Sequence, residues 1–301
     1  MGIVHLCGLG RNPGAVTVGL SYIYHNWGEF GRYGRPVEKV IILTSREIAE
    51  GYVKAGEVVY NHYGRGHPKG IKFRKSDNAL EIVREFIERE FGDVEIWRLI
   101  LDVNDFSQCV EYISKTVLYF HSEGGHWKHI WANITGGTNP LNSAIVMVAH
   151  LSGAITMLYY TFISKREYFK YLNPFTDNKN EFDFRRYYIF KTDLDRRYIA
   201  IMEVLNEVES IKTENLLSRL KKTYWNEFNE FDEGKLRKYL ITMIGVNHHK
   251  DCDTIMINDM GRKINSLLNM KWLKALTGLE KTSKNEIEDM KKEIGLEKIY
   301  P

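Results

Sequence analysis

"NITGGTNPLNSAIVMVAHLSG" spans Asn133 to Gly153, and the way this stretch is read decides the fold. Upstream, "KHIWANI" is a short apolar run of strand character, and downstream Asn139 to Leu151 carries apolar residues at helical spacing. Two adjacent glycines, Gly136 and Gly137, separate them, followed at once by Thr138, Asn139 and Pro140. Paired glycines let one backbone approach another group closely, because no Cβ intervenes. Just before a helix they also expose the amides of its first turn, where anions bind. Thr138 and Asn139 add a hydroxyl and a carboxamide that can bond phosphate, ribose or a base edge. Taken alone, the segment is equally well read as an N-capped turn whose glycines are geometric.

Working outward, the same strand–turn–helix unit recurs. "IVHLCGL" (Ile3 to Leu9) ends in "GRNPG" and gives way to "AVTVGLSYIYHNW", with Pro13 in the first helical turn. "VEKVIILTS" is a second buried strand, followed by a helical stretch from Arg46 to Tyr63 and a basic loop, "GRGHPKGIKFRK". The helix "DNALEIVREFIEREF", the strand "VEIWRLIL", the helix "FSQCVEYISKTVLYFH" and, after the opening stretch, the strand "AITMLYYTF" complete the series. Further strand-like runs lie at Phe162 to Phe169 and Tyr187 to Lys191. Strands alternating with helices predict an α/β fold with a Rossmann-like, mostly parallel sheet over residues 1–192. Ligands of such sheets bind beyond the carboxyl ends of the strands. Four polar loops fall there: Gly10, Arg11, Asn12 and Gly14 after the first strand; Thr44 and Ser45 after the second; "DVND" after the third; Thr135 to Asn139 after the fourth. Gly8-Leu9-Gly10 has Pro13 where a dinucleotide fingerprint has its third glycine, which disfavours ordinary dinucleotide binding and points to another nucleotide shape.

Bulk properties set the outer bounds. The 301 residues suit one large or two modest domains, and 44% hydrophobic with 27% charged residues is ordinary for a globular chain. A net charge of +3 is too slight to name nucleic acid as a partner. Three widely spaced cysteines, Cys7, Cys109 and Cys252, exclude a disulfide framework or a paired-cysteine zinc site and suit a reducing compartment. No apolar run is long enough to span a bilayer and the chain enters a strand without a signal pattern, so a cytoplasmic protein with no membrane partner is expected. A single glutamine, Gln108, beside abundant Lys and Glu follows a thermophile trend that plentiful asparagine weakens.

From Leu194 the pattern becomes helical. "DLDRRYIAIMEVLNEV", "TENLLSRLKKTYW" (Thr213 as its N-cap) and "DEGKLRKYLITMIG" read as three helices. "VNHHKDCD" reads as a turn, "TIMIND" as a strand and "GRKINSLLNMKWLKAL" as a closing helix. That order outlines a winged helix-turn-helix domain over residues 193–301, with 281–301 as a charged tail helix whose Ile287, Met290 and Ile294 face solvent or a partner. Lys235, Arg237 and Lys238 on the candidate recognition helix, and Lys250 in the wing, are the candidate DNA contacts. The acidic "WNEFNEFDEG" beside them is unfavourable for a DNA surface, so a scaffold for dimerisation or a protein partner weighs equally.

"GLGRNPGAVT" and "ITGGTNPLNSA" resemble the CRISPR-associated Rossmann fold (CARF) domains, over roughly residues 1–190. The resemblance implies a homodimer holding a cyclic oligoadenylate across its twofold axis, touched by Arg11, Asn12, Gly14 and Gly136 to Asn139. A CARF domain followed by a winged helix is similar both to CRISPR-linked transcription regulators and to ring nucleases that degrade cyclic tetra-adenylate. A ring with a twofold axis suits a C2 dimer, which presents each loop twice. Tyr22, Trp27 and Trp97 are candidate stacking faces, with the core as their alternative. Ring nucleases work without metal or cofactor, through in-line attack of a ribose 2′-OH and stabilisation of the charged phosphorane. Similar archaeal enzymes place a serine in the first loop and a lysine after GGT; here Arg11 or Asn12, and Asn139, stand in those places. Arg11 and Asn139 are therefore the candidate catalytic residues, and binding is expected ahead of cleavage. After residue 194 the only histidines, His248 and His249, have no arginine four to six residues before them, so a HEPN ribonuclease is disfavoured. "EIEDMKKE" lacks the strand a restriction-type nuclease needs, and "HWKH" and "HH" are too isolated for a metal site.

Overall fold

The computed structural model describes residues 3–30, 36–55, 78–123, 129–163, 182–187, 189, 195–249, 251–276 and 282–300. In chain order the first elements are β1 (Ile3–Leu9), α1 (Gly14–His25), a 3-10 turn (Trp27–Phe30), β2 (Lys39–Thr44) and α2 (Arg46–Ala49). Next come α3 (Ala79–Phe91), β3 (Glu95–Ile100), α4 (Phe106–Glu123), β4 (His129–Asn133), α5 (Asn139–Ser152), β5 (Ile155–Ile163) and β6 (Phe182–Tyr187). Then follow α6 (Arg196–Asn206), β7 (Ile211–Lys212), α7 (Thr213–Thr223), α8 (Trp225–Phe228), α9 (Glu233–Thr242), β8 (Val246–His249) and β9 (Thr254–Ile257). The chain closes with α10 (Asp259–Leu268), α11 (Lys271–Leu276), α12 (Lys284–Glu293) and β10 (Glu297–Tyr300).

The chain divides into two units, residues 1–191 with 275–301, and residues 192–274. In the first, seven strands lie in the order β10-β3-β2-β1-β4-β5-β6. The five from β3 to β5 run parallel, and β10 and β6 are antiparallel at the two edges. This is a Rossmann-like α/β architecture. Every residue of β1 and β2 is buried, as expected for parallel strands with helices on both faces. The chain leaves β1 toward β2 on one side and reaches β4 on the other, so the switch point lies between β1 and β4.

α5 forms where its sequence signals it. Thr138 occupies the N-cap, Pro140 lies in the first turn, and Gly153 ends the helix in the left-handed region at φ 63°. Leu141, Ala144, Ile145, Val148 and Ala149 make its buried stripe. α3 likewise starts on an asparagine, Asn78, whose side chain accepts from the Leu80 amide. After β2 the helical stretch is short: α2 ends at Ala49, and of the expected run to Tyr63 the part beyond residue 55 lies outside the described residues, as do the basic loop, His126, the rest of the run beyond Ile163, and Lys250.

The tail departs from expectation. Instead of facing solvent, Ile287, Met290, Ile294 and Leu296 are buried, and β10 pairs with β3. The residues from 275 onward therefore belong to the α/β unit, and the second unit is an insertion over 192–274 rather than the whole of 193–301. Spaced three and four apart, Ile287, Met290 and Ile294 form one narrow stripe along a helix otherwise dominated by charge, and that excess masks the stripe in composition. A capping box between Ser283 and Glu286 starts α12. Lys115 of α4, 1% exposed at its side chain, holds the tail: its ammonium meets Glu111 at 2.6 Å and Glu293 at 2.9 Å. Lys291 adds a bond to the Tyr119 hydroxyl at 2.8 Å and lies over the Trp97 ring.

The second unit packs Ile201, Leu205, Leu216, Leu220, Phe228, Leu236, Leu240, Ile255 and Ile257 into one core beside the antiparallel sheet β7-β9-β8. Three local expectations change. Thr213 is the first residue of α7 rather than its N-cap, because its hydroxyl is donated to Asp253 at 2.7 Å. "VNHHKDCD" supplies the strand β8 before it turns. The closing helix is two, broken at Asn269 and Met270.

Candidate ligand-binding edge

The carboxyl end of β1 and the turn after β4 meet backbone to backbone. A Cβ added to Gly8 would lie 2.8 Å from the Gly136 carbonyl oxygen, and one on Gly136 would overlap the Gly8 carbonyl oxygen. Gly137 has φ +89°, a conformation that side chains disfavour. The glycine pair is therefore geometric here: two chain segments touch with no room for a methyl group. By contrast, a Cβ on Gly10 would meet nothing within 4 Å.

Around this crossing, polar groups lock the loops together. Buried Asn133 donates from Nδ2 to the Ala15 carbonyl at 2.9 Å and accepts from the Thr135 amide, joining the end of β4 to the start of α1. The Thr135 hydroxyl accepts from the Thr161 amide at 2.8 Å, tying the turn to β5. Thr138 caps α5 and donates its hydroxyl to the Val103 carbonyl in the loop after β3. That loop is itself fixed: Gln108 accepts from the Asp102 amide at 2.6 Å, and Asp105 accepts from the Ser107 and Gln108 amides.

The remaining candidates divide. Asn12 accepts from the Gly14 amide at 3.2 Å and so shapes the entry to α1. Thr44 is fully buried and donates to the Leu9 carbonyl at 2.9 Å, which joins the ends of β1 and β2 and takes its hydroxyl away from the open edge. Ser45 precedes α2; its hydrogen bond to Glu47 is the main reason that carboxyl sits below its ordinary range. Arg11 and Asn139 remain exposed. Arg11 donates from Nε to the Lys54 carbonyl at 3.3 Å. Arg11, Asn12, Gly14 and Thr135 to Asn139 thus gather at the switch point, beside the amino ends of α1 and α5.

Sequence reasoning missed the residues behind this edge. Below it, His5 lies buried between Tyr159 and Pro36. The Pro36 carbonyl, 3.0 Å from Nε2, can only accept, so Nε2 carries the proton and Nδ1 accepts from the Tyr159 hydroxyl at 3.2 Å. Burial lowers the His5 pKa to about 4, against the opposing pull of the Pro36 carbonyl, and pushes the Cys7 thiol up to about 12. Alternation within an all-buried strand gives no sign of such a pair; only a histidine in "IVHLCGL" hints at it.

In the second unit the candidate DNA contacts are partly committed. Arg237 grips Asp253 with two bonds of 3.2 and 3.0 Å and also pairs with Glu233 at 3.0 Å. Lys235 donates to the Glu230 carbonyl at 2.9 Å, and Lys238 is exposed. Asp253 sits at φ 49° and also accepts from Thr213 and His248, and these partners, Arg237 first, hold its carboxyl far below the ordinary range.

A Rossmann-like unit with open loops at its switch point is thus the class that fold and site define. No family model matches the sequence. An uncharacterised protein of Archaeoglobus fulgidus is 27% identical over 190 residues, covering 54% of this chain and 57% of that protein, so the chain matches little more than half the length of this curated relative. Among solved structures, Enterococcus italicus Csm6 bound to cyclic hexa-2′-fluoro-hexa-dAMP is similar over 79% of this chain and 53% of its own, at 13% identity and a TM-score of 0.39. The protein VC1899 of Vibrio cholerae is similar over 91% of this chain and 66% of its own, at 8% identity and a TM-score of 0.33. Among the described residues no helix is long and apolar enough to cross a membrane.

Proposed function

We propose that the edge between β1 and β4 binds a cyclic oligoadenylate, the tetramer first, in a homodimer that shares one ring, and that the protein serves type III CRISPR immunity as a sensor or sink. One observation carries the reading: exposed Arg11 and Asn139 stand at the amino ends of α1 and α5, on either side of the Gly8–Gly136 contact. Helix amino ends, a fixed cation and a carboxamide suit phosphates and riboses of a flat ring better than a single deep pocket does. The motif resemblance of "GLGRNPGAVT" and "ITGGTNPLNSA" gives the ligand class. Calorimetry with cyclic tetra- and hexa-adenylate tests it; absence of heat with both rings sinks it.

Cleavage is the finer reading. A ribose 2′-OH attacks the adjacent phosphorus, the bond to the 5′ oxygen breaks, and a 2′,3′-cyclic phosphate and a 5′-hydroxyl result. Arg11 would stabilise the phosphorane through its Nη groups and Asn139 would orient the ribose. Labelled cyclic tetra-adenylate incubated with the protein in EDTA gives linear product under this reading and stays intact if the protein only binds.

A second reading, a ligand-controlled DNA-binding regulator, draws support from the order α6-β7-α7-α8-α9-β8-β9, which is that of a winged helix. The commitment of Arg237 to Asp253 leaves Lys238 as its better phosphate contact. Ligand-dependent retardation of DNA from the protein's own genomic neighbourhood, lost in Lys238→Ala, would favour it.

A further inference from the structure

Adenines splayed from a phosphate ring need flat faces as well as cations, and aromatic side chains supply them. The three aromatics singled out in the sequence are occupied. Tyr22 stacks on Phe184 with centroids 4.6 Å apart, Trp27 lies 5.7 Å from Trp131, and Trp97 is buried. Among the described residues of the sheet's carboxyl edge, one large aromatic stays open: Tyr52, 75% exposed, in the turn after α2. Tyr24 and Tyr187 are also exposed, but they lie near the far end of α1 and opposite Leu158 within β5, away from that edge.

The backbone that carries Tyr52 is tied down on both sides. Gly51 has φ +75° and its amide donates to the Ile48 carbonyl at 3.3 Å, while the Val53 amide donates to the Glu47 carbonyl at 3.1 Å. Val53 and Ala55 pack against the core, and the Lys54 carbonyl takes the bond from Arg11. The Tyr52 hydroxyl bonds to the Glu50 carboxylate, which raises the phenol's pKa. A solvent-facing aromatic, on a backbone bonded to the site's exposed arginine two residues on, gains nothing in folding stability from its exposure.

We propose that Tyr52 is a base-stacking residue of this site, its ring taking the face of an adenine whose phosphate lies near Arg11. The assignment rests on the function proposed above. Binding of cyclic tetra- and hexa-adenylate to the wild type, Tyr52→Ala and Tyr52→Phe separates the two claims. Tyr52→Ala is expected to weaken binding about 10-fold or more, and Tyr52→Phe to stay within about threefold, because stacking uses the ring and not the hydroxyl. If the wild type binds and Tyr52→Ala binds equally well, the stacking role falls and the ligand reading stands. Equal losses in both variants would assign the effect to the hydroxyl and likewise overturn it. An altered sedimentation coefficient with unchanged affinity would make Tyr52 a subunit contact instead. A wild type silent toward both rings removes the ligand reading and the stacking role together.

Discussion

Among the described residues, each unit contains one place where two glycines bring backbones into contact, and the two places differ in what surrounds them. In the α/β unit Gly8 meets Gly136; in the inserted unit Gly245, at φ +91°, meets Gly261, where an added Cβ would lie 2.5 Å from the Gly261 Cα. At the second contact Asn258 bridges the two backbones. The Asn258 amide donates to the Gly245 carbonyl at 3.0 Å and its side chain accepts from the Gly261 amide at 2.9 Å, while Ile244, Asp259, Met260 and Arg262 beside the contact are exposed. Around the first contact Arg11 and Asn139 are left over at an open edge. A glycine pair therefore reports close packing in both units, and what sets the first apart is its place, where the carboxyl end of β1 meets the turn before α5 at the switch point of the sheet.

The comparison breaks most directly at the glycines themselves. Gly136→Ala and Gly261→Ala each place a methyl group against a backbone carbonyl, and each is expected to cost about 3 kcal/mol or more. Calorimetric melting should show the loss in a different unit for each variant; a loss below about 1 kcal/mol would mean that the contact relaxes freely.

Acid sharpens the contrast next. The folded His5 pKa, about 4, lies below its ordinary 6.5, so between those values the unfolded chain binds the extra proton and stability falls as pH falls. The α/β unit should lose about 3 kcal/mol from pH 6.5 to 4, and His5→Gln should flatten that slope in denaturant titrations. In the inserted unit Asp253 is the group that shifts in the acid range, in the same direction but lower on the scale: its carboxyl is held below the ordinary value of 3.8, so its contribution is present above that value and is lost only below it. Asp253→Asn should cost about 1 kcal/mol at neutral pH, a modest figure because the pair with Arg237 is partly exposed to solvent.

Smaller effects follow. Lys115→Met should loosen the tail by about 1 kcal/mol, since Glu293 is largely solvated, and should be read as faster amide exchange in β10. Gly10→Ala, which meets open space, should change stability by less than about 0.5 kcal/mol and serves as the control for Gly136→Ala.

These expectations rest on features of unequal visibility in the sequence. β1, β2, β4 and α5 could be read directly, because buried parallel strands are unbroken apolar runs and α5 carries Thr138, Pro140 and Gly153 as start and stop signals. The position of the open edge followed from the order of elements alone. The partners of its residues did not: Thr44 to Leu9, Thr138 to Val103 and Asn133 to Ala15 are pairings between strand ends distant in sequence, which no local period encodes. Arg237 drew attention as a cation on a helix, yet its two acid partners, one of them across a hairpin turn, decide its role. The return of the tail was hidden for the reason already given, three apolar residues among many charges.

That return has a practical consequence for anyone cutting this gene. A stop codon placed after residue 192 does not isolate the α/β half: it also strips away the edge strand paired to Glu95–Ile100 and one of the two carboxylates that meet an interior lysine. A clean excision of the insert has to rejoin residues 1–191 to the returning segment 275–301 before either half is judged on its own.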